Sequence, residues 1–234
     1  MPPVLTATLE SNLAGVRARI RSAASLRGGS SVVALVAVTK SVSPERAAGL
    51  VALGERELGE NRADELERKA EWFRARGLEP RWHFLGHLQR NKVRRVAKIA
   101  DVLHSLDGIE LARLLDAAAG EFGRVIEVYV QLKLWPEDSK SGLEPAELPA
   151  LLAQLARLPH LRFTGLMAIG PLLPDPAARH AAAEHVFREL ARRARELGPE
   201  CKCSMGMSED FELAIAEGSD LVRVGSALFE ELDA

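Results

Sequence analysis

Apolar positions along the chain fall into short runs separated by longer amphipathic stretches. The runs cover residues 32–38, 57–59, 82–85, 102–105, 125–132, 161–167, 201–205 and 221–224. They lack strict polar alternation, the pattern of strands whose two faces are both covered. Between them, Ala63, Leu66, Ala70 and Phe73 repeat at helical spacing, as do Val186, Leu190, Ala194 and Leu197. Leu5, Leu9, Leu13, Val16 and Ile20 place an extra amphipathic helix ahead of the first run. Ser43-Pro44-Glu45 reads as a helix start, a capping hydroxyl before a proline at the first helical position. The proline-rich residues 171–176 sit between a run and its helix and read as a loop. Eight strand signals, each followed by a helical one, predict a single-domain α/β fold over residues 1–234, a (β/α)8 TIM barrel. An open doubly wound sheet is the rival. Its G-x-G-x-x-G fingerprint is missing, because Val38 leads into Thr39-Lys40-Ser41.

Composition narrows the classes without choosing a function. The 234 residues are 47% hydrophobic and 27% charged, with 31 Lys plus Arg against 33 Asp plus Glu. The net charge of −2 predicts no nucleic-acid or anionic-membrane partner. Neither a signal peptide nor a membrane span is legible. Cys201 and Cys203 are too few and too close for a disulfide framework and read as reduced strand cysteines. These features predict a cytoplasmic protein.

Polar residues gather where the barrel reading puts the C-terminal ends of strands, the end at which such folds build their sites. They are Lys40, Glu60-Asn61-Arg62, His83 with Gly86 and His87, Ser105 with Asp107, Ser139-Lys140-Ser141-Gly142, Ser204-Met205-Gly206-Met207-Ser208, and Arg223-Val224-Gly225-Ser226. A turn needs only Gly, Asn, Asp or Pro, so these groups ask for another explanation. The last two clusters combine small residues, hydroxyls and helix starts. Exposed N–H groups there suit a phosphate, the ligand that barrels often hold after strands seven and eight. Alone, each cluster is equally well read as a capped glycine turn.

Lys40 ends the first run, which carries it to the mouth. A partly desolvated lysine amine can form an imine with a carbonyl. An amine beside a phosphate site suggests a phosphorylated aldehyde such as pyridoxal phosphate; the plain alternative is a solvated lysine at a strand end. Arg223 projects from the short eighth run. Facing a pyridine nitrogen it would donate a hydrogen bond without giving up its proton, which makes a weak electron sink.

The motifs Val36-Ala37-Val38-Thr39-Lys40, Gly59-Glu60-Asn61, Trp82-His83-Phe84-Leu85-Gly86-His87-Leu88-Gln89-Arg90-Asn91-Lys92, Ser204-Met205-Gly206-Met207-Ser208 and Arg223-Val224-Gly225-Ser226 resemble those of the pyridoxal phosphate homeostasis proteins. The likeness runs from about Leu5 to Phe229. It implies a barrel similar to the N-terminal domain of alanine racemase, with pyridoxal 5′-phosphate held as a Schiff base on Lys40. It further implies Arg223 near the pyridine nitrogen, Ser204, Gly225 and Ser226 on the phosphate, and Asn61, His83 and Met205 lining the pocket. Three positions depart from that pattern: Arg62 replaces an aromatic residue, Cys203 a leucine, and Gln131-Leu132 stands where the fifth strand often has an asparagine.

The resemblance implies a vitamin B6 buffering role without catalytic residues, with apo pyridoxal-phosphate enzymes as recipients. The rival is a racemase, which needs an acid/base group on each face of the substrate. Lys40 serves one face. The barrel racemases take the other from a second domain, which a chain ending at Ala234 leaves no room for, and the sole tyrosine, Tyr129, reads as barrel filling. The missing dimer domain predicts a monomer. Three further readings are weaker: zinc on His83, His87 and His104, a Schiff-base aldolase, and RNA on the basic run Arg90, Lys92, Arg94, Arg95 and Lys98. A solvated helix face accounts better for the basic run.

Overall fold

The computed structural model describes residues 3–27, 32–136 and 141–230. Eight parallel strands close in sequence order, β1 through β8, with β1 paired to β8. They are β1 (Ala34–Val38), β2 (Glu57–Glu60), β3 (Arg81–Phe84), β4 (Val102–Leu106), β5 (Ile126–Gln131), β6 (Leu161–Met167), β7 (Lys202–Ser204) and β8 (Leu221–Val224). The helices are α1 (Pro3–Leu26), α2 (Pro44–Ala52), α3 (Ala63–Arg74), α4 (Val93–Ala97), α5 (Ile109–Glu121), α6 (Leu148–Leu155), α7 (Pro176–Leu197), α8 (Phe211–Glu217) and α9 (Ser226–Phe229). Short 3-10 turns at Arg90–Lys92 and Pro145–Glu147 precede α4 and α6. The expected barrel with its extra N-terminal helix is therefore what the chain forms, and no described helix is long and apolar enough to cross a membrane.

Strand ends differ from the apolar runs in instructive ways. Val32 and Val125 are 92% and 57% exposed, so apolar character at a run's start does not mean pairing. The run at 201–205 contracts to three paired residues, and Leu132 leaves β5 for an isolated bridge to Leu143. The helix expected after the third run is only five residues long behind its 3-10 turn.

Helix faces follow the spacing closely. Ala63, Leu66, Ala70 and Phe73 are all buried on α3, and Val186, Leu190 and Ala194 on α7. Leu197 departs: it is the last residue of α7 and is 42% exposed. On α1, Leu9, Leu13, Val16 and Ile20 are buried, while the Leu5 side chain lies outside those described. Ser43 caps α2, accepting from the Arg46 N–H at 3.4 Å with Pro44 behind it, as its motif predicts.

One main apolar core lies between sheet and helices. A small second cluster of Val102, Tyr129 and Met167 belongs to the barrel interior, where polar side chains fill much of the remaining space. Cys203 is buried and Cys201 half-buried; both are free, and burial pushes their thiols up to about 12 and about 11.

Candidate functional site

The end of β1 is pinned from below. The Thr39 N–H donates to Gly59 O at 2.9 Å, and its hydroxyl donates to Glu60 Oε1 at 2.5 Å. Lys69, reaching in from α3, donates to Thr39 O and to Glu60 Oε1, both at 2.5 Å. The Lys69 and Glu60 side chains are wholly buried, and Glu60 Oε2 has no hydrogen-bond partner. The next residue, Lys40, is exposed at the mouth. Burial of the run before it therefore fixes where the lysine starts without desolvating its side chain. That corrects the expectation of a partly desolvated amine.

Asn61 follows β2 and is exposed at the same mouth. Its backbone is clasped by the loop after β3: a Cβ on Gly86 would lie 2.0 Å from Asn61 O. The Ser105 hydroxyl donates to Gly86 O at 2.5 Å and ties β4 into the same loop. Arg62 turns aside to Asp64, at 2.8 Å. At β5, Gln131 Nε2 donates to Ser141 O at 2.6 Å. Ser139 and Lys140 lie outside the described residues.

The loops after β7 and β8 meet, as the sequence predicts. The Gly225 N–H donates to Ser208 Oγ at 3.2 Å, and a Cβ on Gly225 would approach Val38 O at 3.1 Å. Ser226 opens α9 and is exposed. Met207 N–H is held by Asp210 Oδ1 at 2.6 Å, and burial raises the Asp210 carboxyl. Hydroxyls, a glycine and the start of α9 are thus grouped beside the end of β1, in reach of it through Val38.

Four residues expected at a ligand sit deeper. Met205 is 0% exposed in the main core. Ser204 Oγ lies between Arg223 NH1, at 2.5 Å, and His104 Nδ1, at 2.8 Å. His83 is 1% exposed, with His104 Nε2 and Glu57 Oε2 at its two ring nitrogens. Arg223 itself is 5% exposed, and its NH2 donates to Ala168 O at 3.1 Å. Desolvation brings its guanidinium down to about 10, so it stays charged at neutral pH.

The competing site readings come apart in space. His83 and His104 face each other, whereas His87 is exposed and pairs with Asp107 at 3.3 Å. Within the basic run, Arg90 pairs with Glu110, Arg94 with Glu121 and Arg95 with Glu67. Sequence reasoning overlooked Glu57, Lys69, Asp210 and the interior role of His104. The last had a signal: a histidine in the middle of the otherwise buried Val-Leu-His-Ser-Leu strand.

With this geometry established, likeness to other proteins becomes informative. Residues 11–232 match the family model described as alanine racemase, N-terminal domain. The pyridoxal phosphate homeostasis protein of Pseudomonas aeruginosa is 38% identical over 229 residues, 97% of this chain and 96% of that protein. The structure of PipY from Synechococcus elongatus with PLP bound is 36% identical with a TM-score of 0.79, covering 94% of this chain and 99% of that one. The alanine racemase of Streptomyces lavendulae, 20% identical with a TM-score of 0.71, spans 96% of this chain but matches only 57% of its own, and shares the fold.

Proposed function

The chain belongs to the pyridoxal phosphate homeostasis proteins, within the alanine racemase N-terminal domain family, and from that premise we propose that it binds pyridoxal 5′-phosphate at the C-terminal mouth of its barrel, on Lys40, and buffers the cofactor in the cytoplasm. The observation that carries the reading is the pairing of an exposed lysine on a pinned strand end with a hydroxyl-and-glycine cradle at the adjoining end of β8.

The residues present fit the group. Gly225 leaves open the space that a side chain would fill against Val38 O, and the Ser208 hydroxyl already lies against its N–H. The cofactor supplies a reactive aldehyde and a phosphate. Lys40 provides the amine that takes the aldehyde as a Schiff base, and the Thr39–Glu60–Lys69 set fixes the backbone from which it reaches. Gly225 and Ser226, joined by Ser208, hold the phosphate with N–H and hydroxyl groups. Asn61 stands at the rim. Arg223 serves the ring nitrogen as a permanent donor, with His83 and Ser204 acting behind it rather than in contact. Met205, wholly buried in the main core, stands behind the site rather than lining it.

A buffering role, not turnover, accords with the side chains available. The only tyrosine, Tyr129, is stacked on His104 inside the barrel with ring centroids 4.7 Å apart, and burial raises its phenol, so it offers no base at the mouth. A permanently charged Arg223 also disfavours carbanion chemistry. We further propose that the protein acts as a monomer and that apo pyridoxal-phosphate enzymes receive the cofactor.

Borohydride reduction of protein loaded with pyridoxal phosphate, followed by peptide mass mapping, tests the site: the label belongs on the Lys40 peptide and disappears in Lys40→Ala. A label elsewhere, or none, overturns the assignment. Interconversion of alanine enantiomers by the purified protein, lost in Lys40→Ala, would establish the racemase instead.

A further inference from the structure

Five polar side chains run in single file through the barrel. Arg223 NH1 donates to Ser204 Oγ at 2.5 Å, and Ser204 Oγ meets His104 Nδ1 at 2.8 Å. His104 Nε2 meets His83 Nδ1 at 2.8 Å, and His83 Nε2 meets Glu57 Oε2 at 2.5 Å. The members belong to β8, β7, β4, β3 and β2. Because β4 and β7 are not neighbours in the sheet, the Ser204–His104 contact crosses the lumen. Glu57 opens β2 at the N-terminal end, where its side chain is 32% exposed.

The chemistry of the two ends fixes where each proton sits. An ionised carboxylate only accepts, so His83 donates from Nε2 and accepts at Nδ1. His104 must then donate from its own Nε2 and accept at Nδ1. The Ser204 hydroxyl supplies that last proton, leaving its oxygen to accept from Arg223, which can only donate. Arg223 at the other end is compatible with this assignment, so no link sets two donors or two lone pairs against each other.

The surroundings keep the members in these states. Burial lowers His83 and outweighs Glu57, which raises it; Arg81 and Asp101 also face this ring. Burial holds His104 well below the usual range, helped by His83, Arg223 and Arg81, while Tyr129 stacks on the ring. For Glu57, burial pulls upward, but His83 and Arg81 prevail and the carboxyl lies below its ordinary value. Asp210 and Tyr129 are the groups that face Arg223.

We propose that Glu57, His83, His104 and Ser204 are positioning residues for Arg223, a one-way hydrogen-bond relay that sets the guanidinium at the cofactor mouth from a carboxylate at the opposite end of the barrel. The purpose rests on the functional reading above, which puts Arg223 against the cofactor's ring nitrogen; the relay itself does not. It gives His83 a role without ligand contact and makes Glu57, far from the mouth, a determinant of cofactor binding.

Two measurements decide it. Long-range proton–nitrogen NMR of the cofactor-free protein should find both His83 and His104 neutral at pH 7 with the proton on Nε2. Either ring doubly protonated, or carrying its proton on Nδ1, overturns the relay whether or not cofactor binds. Titration with pyridoxal phosphate, followed by absorbance, should then show Glu57→Gln and His104→Phe weakening binding by about tenfold, the scale of one hydrogen bond to a charged group. Glu127→Gln, which removes a different carboxylate partner of Arg81, should bind as the parent does. Glu57→Gln is near-isosteric at a half-exposed position, so it remains informative if His104→Phe does not fold. Parent-like affinity in Glu57→Gln overturns the coupling. A parent protein that takes up no cofactor overturns the functional reading and the relay's purpose together, while the proton positions still report the relay.

Discussion

At the scale of single residues, the chain's polar groups divide into those at the mouth and those that hold them there. Lys40 was legible because a buried run delivers it; its support was not, because Lys69 lies on a helix whose apolar spacing gives no hint of an inward lysine. The Lys69–Glu60 pair is wholly buried, so removing one partner strands the other. Lys69→Met is expected to cost about 3–5 kcal/mol in urea denaturation, and a Lys69→Met/Glu60→Leu double variant less than the two single changes summed. Gly86 has no signal in the sequence beyond its motif, yet a side chain there would overlap Asn61 O. Gly86→Ala should cost about 1–3 kcal/mol by the same measurement, the scale of a forced local rearrangement. His83 and Ser204 show what a motif leaves open. Residue type and strand position put them near the site, but which way their hydrogen bonds run depends on partners from β2, β4 and β8 that no local spacing reveals.

Among elements, period alone identified all eight strands and the long helices, since parallel strands buried on two faces and helices buried on one leave different spacings. Ends were less legible, because pairing is decided by the neighbouring strand: Val125 is as apolar as Ile126 but projects beyond β6's partner register, which begins at Ile126↔Leu161. Caps carry local chemistry and are open to direct test. Asp175 accepts from the Ala178 N–H at 2.7 Å at the start of α7, with Pro176 behind it. Asp175→Ala should lower stability by about 1 kcal/mol, and Asp175→Asn by less, measured as a shift in the urea midpoint. On α1, Leu13 is 3% exposed in the main core, and Leu13→Ala is expected to cost about 2–5 kcal/mol.

For the molecule as a whole, the interior imidazoles tie stability to pH. Burial lowers both His83 and His104, so the unfolded chain binds protons that the folded one refuses. Their contribution is complete above the unfolded value of about 6.5 and is lost as pH falls below it, at up to about 1.4 kcal/mol per pH unit for each ring. Urea midpoints should therefore decline from pH 7 to pH 5, and His104→Phe should flatten that slope; a midpoint indifferent to pH in both proteins would contradict neutral buried rings. Below the ordinary carboxylate range, Glu57, whose pKa is lowered in the fold, adds a further loss.

The clasp at the molecule's seam bears on how it is made. Asn12 of α1 donates to Leu228 O, 216 residues away, at 3.3 Å and to Glu230 O at 2.9 Å, while Arg19 sits over the Phe211 ring at 4.6 Å. Helix α1 thus has part of its seat built from residues synthesised 216 positions later. Until that stretch arrives, the buried stripe of Leu9, Leu13, Val16 and Ile20 lacks the cover of α8 and α9, and β1 lacks its closing neighbour β8. Synthesis from the N-terminus therefore leaves nascent chains sticky along α1 while the intervening strands are made, a window in which chaperones have an obvious handhold.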